Sequence, residues 1–177
     1  MNTSMALTII GNVMILFGII FNAIPKAIKN YGWMVRFSYM NIDKYLKGIQ
    51  ERSKNTLVGT LGIEITDIGE QNISGKMPVD HRTKQPFGIL HGGANVAFAE
   101  TLGSIGGGLQ VDTDTQSVVG IEINASHLKP VSSGWVYGTA DAVRVGKKIQ
   151  VWGIVIKDQN QNIVCKSRLT LAVINKR

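Results

Sequence analysis

The segment His91–Gln110, HGGANVAFAETLGSIGGGLQ, indicates how the rest of the chain is arranged. Its apolar residues recur at the spacing of an α-helix, which predicts a helix that begins at the Gly-Gly pair. Small or apolar side chains lie all around that helix, a pattern typical of a buried helix. Glu100 is the one ionisable side chain from Gly92 to Leu109, and a carboxylate in a buried helix needs either a partner or a function.

The segments on either side of this helix predict a sheet. Before it, Ile42, Leu46 and Ile49 follow the repeat of a short amphipathic helix. Leu57–Ile68 and Asn72–Val79 are predicted strands. After it, four longer segments alternate between apolar and polar residues, as strands do: Ser117–Leu128, Trp135–Val145, Ile149–Lys157 and Ile163–Ile174.

The order of these elements predicts an α+β fold, in which an antiparallel sheet curls around one long central helix. Short connections between the last four strands suit antiparallel neighbours. A helix enclosed by a sheet needs few bulky side chains, and small residues recur along it: Gly93, Ala94, Ala97, Ala99, Gly103 and Gly106.

Composition narrows the function classes. The 177 residues are 44% hydrophobic and 18% charged, with a formal net charge of +7, which is typical of a globular protein. No basic run of the kind found in nucleic-acid binders is present, although a modest positive charge suits a small anionic ligand. Cys165 is the only cysteine, so no internal disulfide and no cysteine metal motif are expected; we interpret it as a small buried hydrophobic residue.

Residues 1–39 have a different character from residues 40–177. Met5–Ile24 is a run of twenty residues without charge, which matches the thickness of a bilayer core. Lys26, Lys29 and Arg36 follow it, and the positive-inside rule would then place the rest of the chain in the cytoplasm. Two interpretations stay open: residues 1–39 are a membrane anchor, or Met40 is the true start.

Gly92 and Glu100 together suggest acyl transfer. Free N–H groups at a helix start can hold a developing oxyanion, and a carboxylate can act as nucleophile or as general base on water. The two residues are eight positions apart, which is about 12 Å along a helix axis. We therefore expect a homodimer in which Glu100 of one chain faces Gly92 of the other. The plain alternative is that Glu100 belongs to a buried polar network.

Several segments resemble one family. Val79–Ser104, VDHRTKQPFGILHGGANVAFAETLGS, is similar to the active-site signature of hotdog-fold acyl-CoA thioesterases. Within that family it looks most like the bacterial dihydroxynaphthoyl-CoA hydrolases and the phenylacetate-pathway, PaaI-like thioesterases. Val118–Pro130, Gln150–Gln159 and Cys165–Ile174 resemble the family too, so the likeness extends from about Met40 to the C-terminus and leaves out residues 1–39.

The resemblance implies a set of catalytic residues. Glu100 matches the family's catalytic carboxylate, and Gly92 matches the residue whose N–H binds the oxyanion. His91 and Gln85 match residues that orient the thioester and the water. Ser104, one helical turn after Glu100, matches a residue that positions water or the leaving group.

The resemblance also implies contacts to coenzyme A. His127 and Lys129 match the region that meets the nucleotide, and Gly146, Lys147 and Lys148 fall where relatives make further phosphate contacts. Lys129 stands where relatives often have arginine, which keeps the charge but loses the bidentate geometry of a guanidinium. Without a ligand, Lys147 and Lys148 would simply be a solvated hairpin tip.

The implied function is hydrolysis of an acyl-CoA without metal or cofactor. 1,4-Dihydroxy-2-naphthoyl-CoA is the best candidate substrate, which would place the protein in menaquinone synthesis in the cytoplasm. The resemblance also implies a dimer of dimers. Three other functions stay open: a hydratase or dehydratase on acyl thioesters, a non-catalytic acyl-CoA-binding protein, and a membrane-bound thioesterase that uses Met5–Ile24 as its anchor.

Overall fold

The computed structural model describes residues 42–176. The predictions for residues 1–39, including the run Met5–Ile24, lie outside them. None of the helices within residues 42–176 has the length and apolarity that crossing a bilayer requires. The described elements, in chain order, are α1 (Ile42–Ser53), α2 (Leu57–Thr60), β1 (Glu64–Ile68), β2 (Asn72–Pro78), α3 (Gly92–Leu109), β3 (Gln116–His127), β4 (Trp135–Val145), β5 (Ile149–Asp158) and β6 (Ile163–Asn175).

The strands form one antiparallel sheet in the order β1-β2-β4-β5-β6-β3. The predicted fold class, an antiparallel sheet around one long helix, is confirmed. Strand β3 lies at one edge of the sheet and, within the described residues, pairs only with β6. Its other edge therefore presents unpaired backbone groups, which readily pair with another strand.

Helix α3 packs on the inner face of the sheet through Phe98 and Leu102, both fully buried. Gly75 of β2 and Gly138 of β4 are paired across the sheet, and a Cβ at either position would come within 3 Å of Leu102. The glycine pair thus lets the helix approach the sheet closely. Burying a side chain such as Phe98 stabilises the fold by roughly 1.5–3 kcal/mol.

Two hydrogen bonds between buried groups connect Gly107, near the end of α3, to the sheet. Trp152 donates a hydrogen bond from Nε1 to Gln150 Oε1 (3.0 Å), and Gln150 donates from Nε2 to the Gly107 carbonyl (3.3 Å). Both side chains are fully buried. Burying a polar group without a hydrogen-bond partner costs folding free energy. These two hydrogen bonds are therefore kept, and they fix the distance between Gly107 and the sheet.

Gly107→Ala is expected to lower the free energy of unfolding by about 1–3 kcal/mol, as overpacking of a core does. A Cβ there would overlap Leu171 Cδ1 and lie 2.9 Å from Gln150 Oε1. Gly108→Ala is the matched control, since a Cβ at Gly108 meets no heavy atom within 4 Å in the part of the chain that the structure describes, and alanine favours a helix by up to ~1 kcal/mol. Urea unfolding at one protein concentration compares them, and equal midpoints would contradict the packing described above.

The predicted strand Leu57–Ile68 is wrong in its first half. Leu57–Thr60 is a helical turn, and only Glu64–Ile68 is a strand. The chain turns between them at Gly62, which has a φ of +68°, a conformation that glycine adopts without a steric penalty. The apolar and β-branched residues of the segment favour a strand locally, but the chain must reverse from α1 into the sheet, and that tertiary requirement prevails.

Candidate active site

Helix α3 begins with a histidine cap. His91 has extended backbone angles (φ −70°, ψ 133°), and its Nδ1 accepts a hydrogen bond from the Gly93 N–H at 2.8 Å. The His91 carbonyl accepts from the N–H groups of Ala94 (3.0 Å) and Asn95 (3.2 Å). An imidazole that accepts at Nδ1 carries its proton on Nε2, so His91 presents an N–H donor to the outside.

Gly92 is left as the one residue of the first helical turn whose N–H has no acceptor within residues 42–176. Its neighbour is His127, since a Cβ at Gly92 would lie 2.8 Å from His127 Nε2. A free N–H at the positive end of a helix dipole is suited to bind an oxygen that carries negative charge. The predicted oxyanion donor is therefore available, and His127 lies closer to it than the sequence indicated.

The loop before the helix is held by a buried threonine. Thr83 is 1% exposed and donates from Oγ1 to the Pro78 carbonyl at 2.7 Å, while its own carbonyl accepts from the His91 N–H at 2.8 Å. Gln85 lies half-buried in this loop, and its Oε1 accepts from the Phe87 N–H at 3.1 Å. No hydrogen bond engages the Gln85 amide nitrogen within residues 42–176, so it can donate to a ligand. Sequence reasoning missed Thr83, because its contacts are visible only in three dimensions.

Glu100 lies farther along α3, half-buried, against the edge strand β3. A Cβ at Gly120 would lie 2.8 Å from Glu100 Oε1, so this glycine makes room for the carboxylate. Within the described residues, no hydrogen bond or ion pair engages the Glu100 side chain. The alternative that Glu100 belongs to a buried polar network therefore has no support in these residues.

A cleft of about 630 Å³ opens beside Glu100. Ser104 lines it as well, and the opposite wall comes from α1 and α2, including Tyr45, Ile49 and Leu57. The Ser104 hydroxyl makes no hydrogen bond within the described residues. The sequence predicted α1 as an amphipathic helix, but not that its apolar side faces Glu100.

Within one chain, the predicted catalytic residues fall into two clusters. Gln85, His91 and Gly92 gather at the start of α3, whereas Glu100 and Ser104 line the cleft. Gly92 and Glu100 are eight residues apart, which is about 12 Å along the helix axis. A thioester carbonyl bound at the Gly92 N–H is consequently out of reach of Glu100 in the same chain.

Lys129 is held by an ion pair rather than free. Its Nζ lies 2.9 Å from Asp158 Oδ2, and Asp158 also accepts hydrogen bonds from Asn160 and Asn162. The Lys129 ammonium, followed by the Asn162 amides, lowers the Asp158 pKa to about 2. A depressed carboxyl pKa stabilises the fold above the ordinary value of 3.8 and loses that effect as pH falls to about 2, so the ion pair is intact at neutral pH.

Gly146, Lys147 and Lys148 form the hairpin between β4 and β5, and both lysines are exposed. Strand pairing places this hairpin beside the end of the sheet that contains Gly120, whereas His127 pairs with Cys165 at the opposite end. One chain therefore does not bring its Lys147 and Lys148 together with its own His127.

In the part of the chain that the structure describes, no side chains are arranged for metal binding or for thiol chemistry. No group of three or more His, Cys, Asp or Glu residues there is placed to hold a metal ion. Cys165 is fully buried, and desolvation raises the pKa of its thiol. Its predicted place in the apolar core is thus observed.

Comparison with known proteins identifies the family. The family described as the Thioesterase superfamily matches residues 87–165, which include α3, β3, β4 and β5. A proofreading thioesterase EntH from Cronobacter turicensis is 49% identical over 129 residues, covering 73% of this chain and 93% of that protein. A 1,4-dihydroxy-2-naphthoyl-CoA hydrolase from Escherichia coli is 43% identical and covers 73% of this chain and 94% of that protein.

Solved structures agree. A thioesterase from Haemophilus influenzae is 50% identical, with a TM-score of 0.71 over 73% of this chain and 90% of that one. A mutant thioesterase from Pseudomonas aeruginosa is 40% identical, with a TM-score of 0.73 over 74% of this chain and 94% of that one. The hotdog fold and the hydrolase activity that the resemblance implied are confirmed: the chain belongs to the thioesterase superfamily.

Proposed function

We propose that this thioesterase hydrolyses an aromatic or other acyl-CoA at sites shared by two copies of the chain. Glu100 of one subunit supplies the carboxylate, and Gly92 of the partner subunit supplies the oxyanion N–H. 1,4-Dihydroxy-2-naphthoyl-CoA is the first candidate substrate, because a relative 43% identical to this chain is a hydrolase of that thioester. Menaquinone synthesis in the cytoplasm is the setting that this substrate suggests.

The observation that carries the proposal is the position of the two clusters along β3. Glu100 lies against Gly120, near the start of the strand, and Gly92 lies against His127, at its end. Those two positions are seven residues apart, or about 24 Å of strand. Each cluster therefore lies beside the same free edge, at opposite ends.

Antiparallel pairing of β3 with the β3 of a second copy would place each end of one strand beside the opposite end of the other. Gly120 would then lie near His127 of the partner subunit, and Glu100 near Gly92 of the partner subunit. The isologous contact about a twofold axis repeats the arrangement and gives two equivalent sites. The unpaired backbone of β3 supports such a contact, since an uncovered edge strand tends to pair.

The chemistry at such a site is balanced by one water. The Glu100 carboxylate either removes a proton from water, which attacks the thioester carbon, or attacks that carbon itself and forms an anhydride that water then hydrolyses. In both routes the carbonyl oxygen becomes an oxyanion at the Gly92 N–H. The C–S bond then breaks, and the departing thiolate takes up a proton as free coenzyme A.

The same antiparallel pairing also determines the proposed contacts to the coenzyme A phosphates. Lys147 and Lys148 lie near the Gly120 end of their own chain, so the pairing would bring them near His127 and Lys129 of the partner subunit. No hydrogen bond or ion pair within residues 42–176 engages the ammonium groups of Lys147 and Lys148. Lys129 would contact a phosphate while it remains paired with Asp158.

Release of free thiol tests the proposal. The substrates are dihydroxynaphthoyl-, phenylacetyl-, benzoyl- and medium-chain acyl-CoA, each supplied to the wild-type chain. We expect hydrolysis, with the highest kcat/KM for the acyl group that fits the cleft best. Binding of these thioesters without thiol release would favour a non-catalytic acyl-CoA-binding protein, and hydration of an enoyl-CoA would favour a hydratase.

Gly92→Pro is expected to lower kcat by roughly 10²–10³-fold, the usual cost of losing one oxyanion donor. Gly92 is the first residue of α3, where proline is tolerated because that N–H has no helical acceptor. The extended angles of His91 also suit a residue that precedes proline. The substitution therefore removes one N–H and leaves the helix intact, which circular dichroism checks.

Gly92→Ala is the matched control for this substitution. It keeps the N–H and adds the same Cβ, which would lie 2.8 Å from His127 Nε2. We expect its loss of kcat to be much smaller than that of the proline variant. If both variants lose activity equally, crowding of His127 and not the missing N–H is responsible, and the oxyanion assignment is wrong.

A further inference from the structure

The cleft beside Glu100 continues along α3 well past the carboxylate. Its floor is formed by one side of the helix, where Ala97, Thr101, Ser104 and Gly108 are small and Ile105 is a bulky apolar residue. The opposite wall, from α1 and α2, is largely apolar. A long floor made mostly of small residues indicates room for an extended group.

Three successive glycines end this floor, and they face different surroundings. A Cβ at Gly106 would lie 2.9 Å from the Trp152 ring, and one at Gly107 would overlap Leu171, so both glycines serve packing against the sheet. Gly108 lines the cleft, and a Cβ there meets no heavy atom of the described residues within 4 Å. Packing among residues 42–176 therefore does not require a glycine at position 108.

Three hydroxyls of the cleft already donate hydrogen bonds to backbone carbonyls, whereas the Ser104 hydroxyl makes none within the described residues. Ser53 donates from Oγ to the Ile49 carbonyl, Thr56 from Oγ1 to the Ser53 carbonyl, and Thr101 from Oγ1 to the Ala97 carbonyl. These three hydroxyls therefore have no proton left to donate to a ligand, although their oxygens can still accept. Because the wall from α1 and α2 offers mainly apolar contacts, and burying a polar group without a partner is costly, the cleft favours an acyl group that is mainly alkyl or aryl.

We propose that Gly108 sets the length of the acyl group, and that the cleft takes a mainly alkyl or aryl acyl group no longer than a straight chain of about ten carbon atoms. The inference rests on the proposed function, with the thioester carbon at Glu100. Glu100 and Gly108 are eight residues apart, or about 12 Å of helix. An extended chain advances about 1.2 Å per single bond, so about ten bonds span that distance.

The test is a series of saturated acyl-CoA substrates from four to sixteen carbons, with thiol release measured for wild type, Gly108→Leu and Gly108→Ala. For wild type, kcat/KM is expected to rise with length up to about ten carbons, by as much as about fourfold per buried methylene. Gly108→Leu should hydrolyse the four-carbon substrate as wild type does and lose at least tenfold on the ten-carbon one. Gly108→Ala adds little volume at the same position, so its kcat/KM on the ten-carbon substrate should lie between those of wild type and Gly108→Leu.

Two results would overturn the inference. One is a Gly108→Leu chain that folds and retains the wild-type length profile. The other needs no variant: a wild-type profile that does not rise between four and ten carbons, which decides the matter even if the leucine chain fails to fold. Failure of the proposed function is distinguishable from both, because wild type would then release no thiol from any acyl-CoA.

Discussion

Glu100→Gln is expected to lower kcat by roughly 10²–10⁴-fold, the contribution that a positioned acid or base makes to catalysis. Glutamine has nearly the same shape, so it fills the same space beside Gly120 and leaves the shape of the cleft unchanged. It cannot attack a carbonyl carbon as a carboxylate does, nor can it take a proton from water. Since the side chain has no hydrogen bond or ion pair within residues 42–176, folding should be unaffected, and KM should change little.

Glu70→Gln is the control for this experiment, because it makes the same chemical change in an exposed turn. Thiol release should continue at the wild-type rate in that variant. Binding of the acyl-CoA to the Glu100→Gln chain, measured by calorimetry, separates loss of turnover from loss of affinity. Wild-type kcat in the Glu100→Gln chain would show that another group activates the water.

Much of the fold follows from local pattern. The central helix and the last four strands were predicted within two residues of their ends, since helical and alternating periodicities are strong in long segments. The segment Leu57–Ile68 was not, because its reversal at Gly62 serves the attachment of α1 to the sheet. Local propensity contains no information about such a reversal.

For the candidate site, too, some features could be predicted from the sequence and others could not. The spacing of Gly92 and Glu100 along one helix was sufficient to predict that one chain keeps them apart. The proximity of His127 to Gly92 depends on where β3 ends relative to the start of α3, and the pairing of Lys129 with Asp158 on where β5 ends. Contacts between residues distant in sequence cannot be inferred from the periodicity of one chain.

Equal amounts of a Glu100→Gln chain and a Gly92→Pro chain, refolded together, are expected to regain about a quarter of wild-type activity. Each chain alone should be nearly inactive. Random pairing makes about half of the dimers mixed, and each mixed dimer has one site with an intact Glu100 from one chain and an intact Gly92 from the other. Its second site combines both substitutions and is inactive.

The converse mixture makes the result decisive. A chain that carries both substitutions, refolded with an equal amount of wild type, inactivates both sites of every mixed dimer if the sites are shared. About a quarter of the activity of an all-wild-type sample then remains, whereas sites contained within one chain would leave about half. No recovery in the first mixture together with half in the second would place Glu100 and Gly92 of the same chain in one site. Because the helix separates those residues by about 12 Å, that result would require the thioester to bind elsewhere than at the Gly92 N–H.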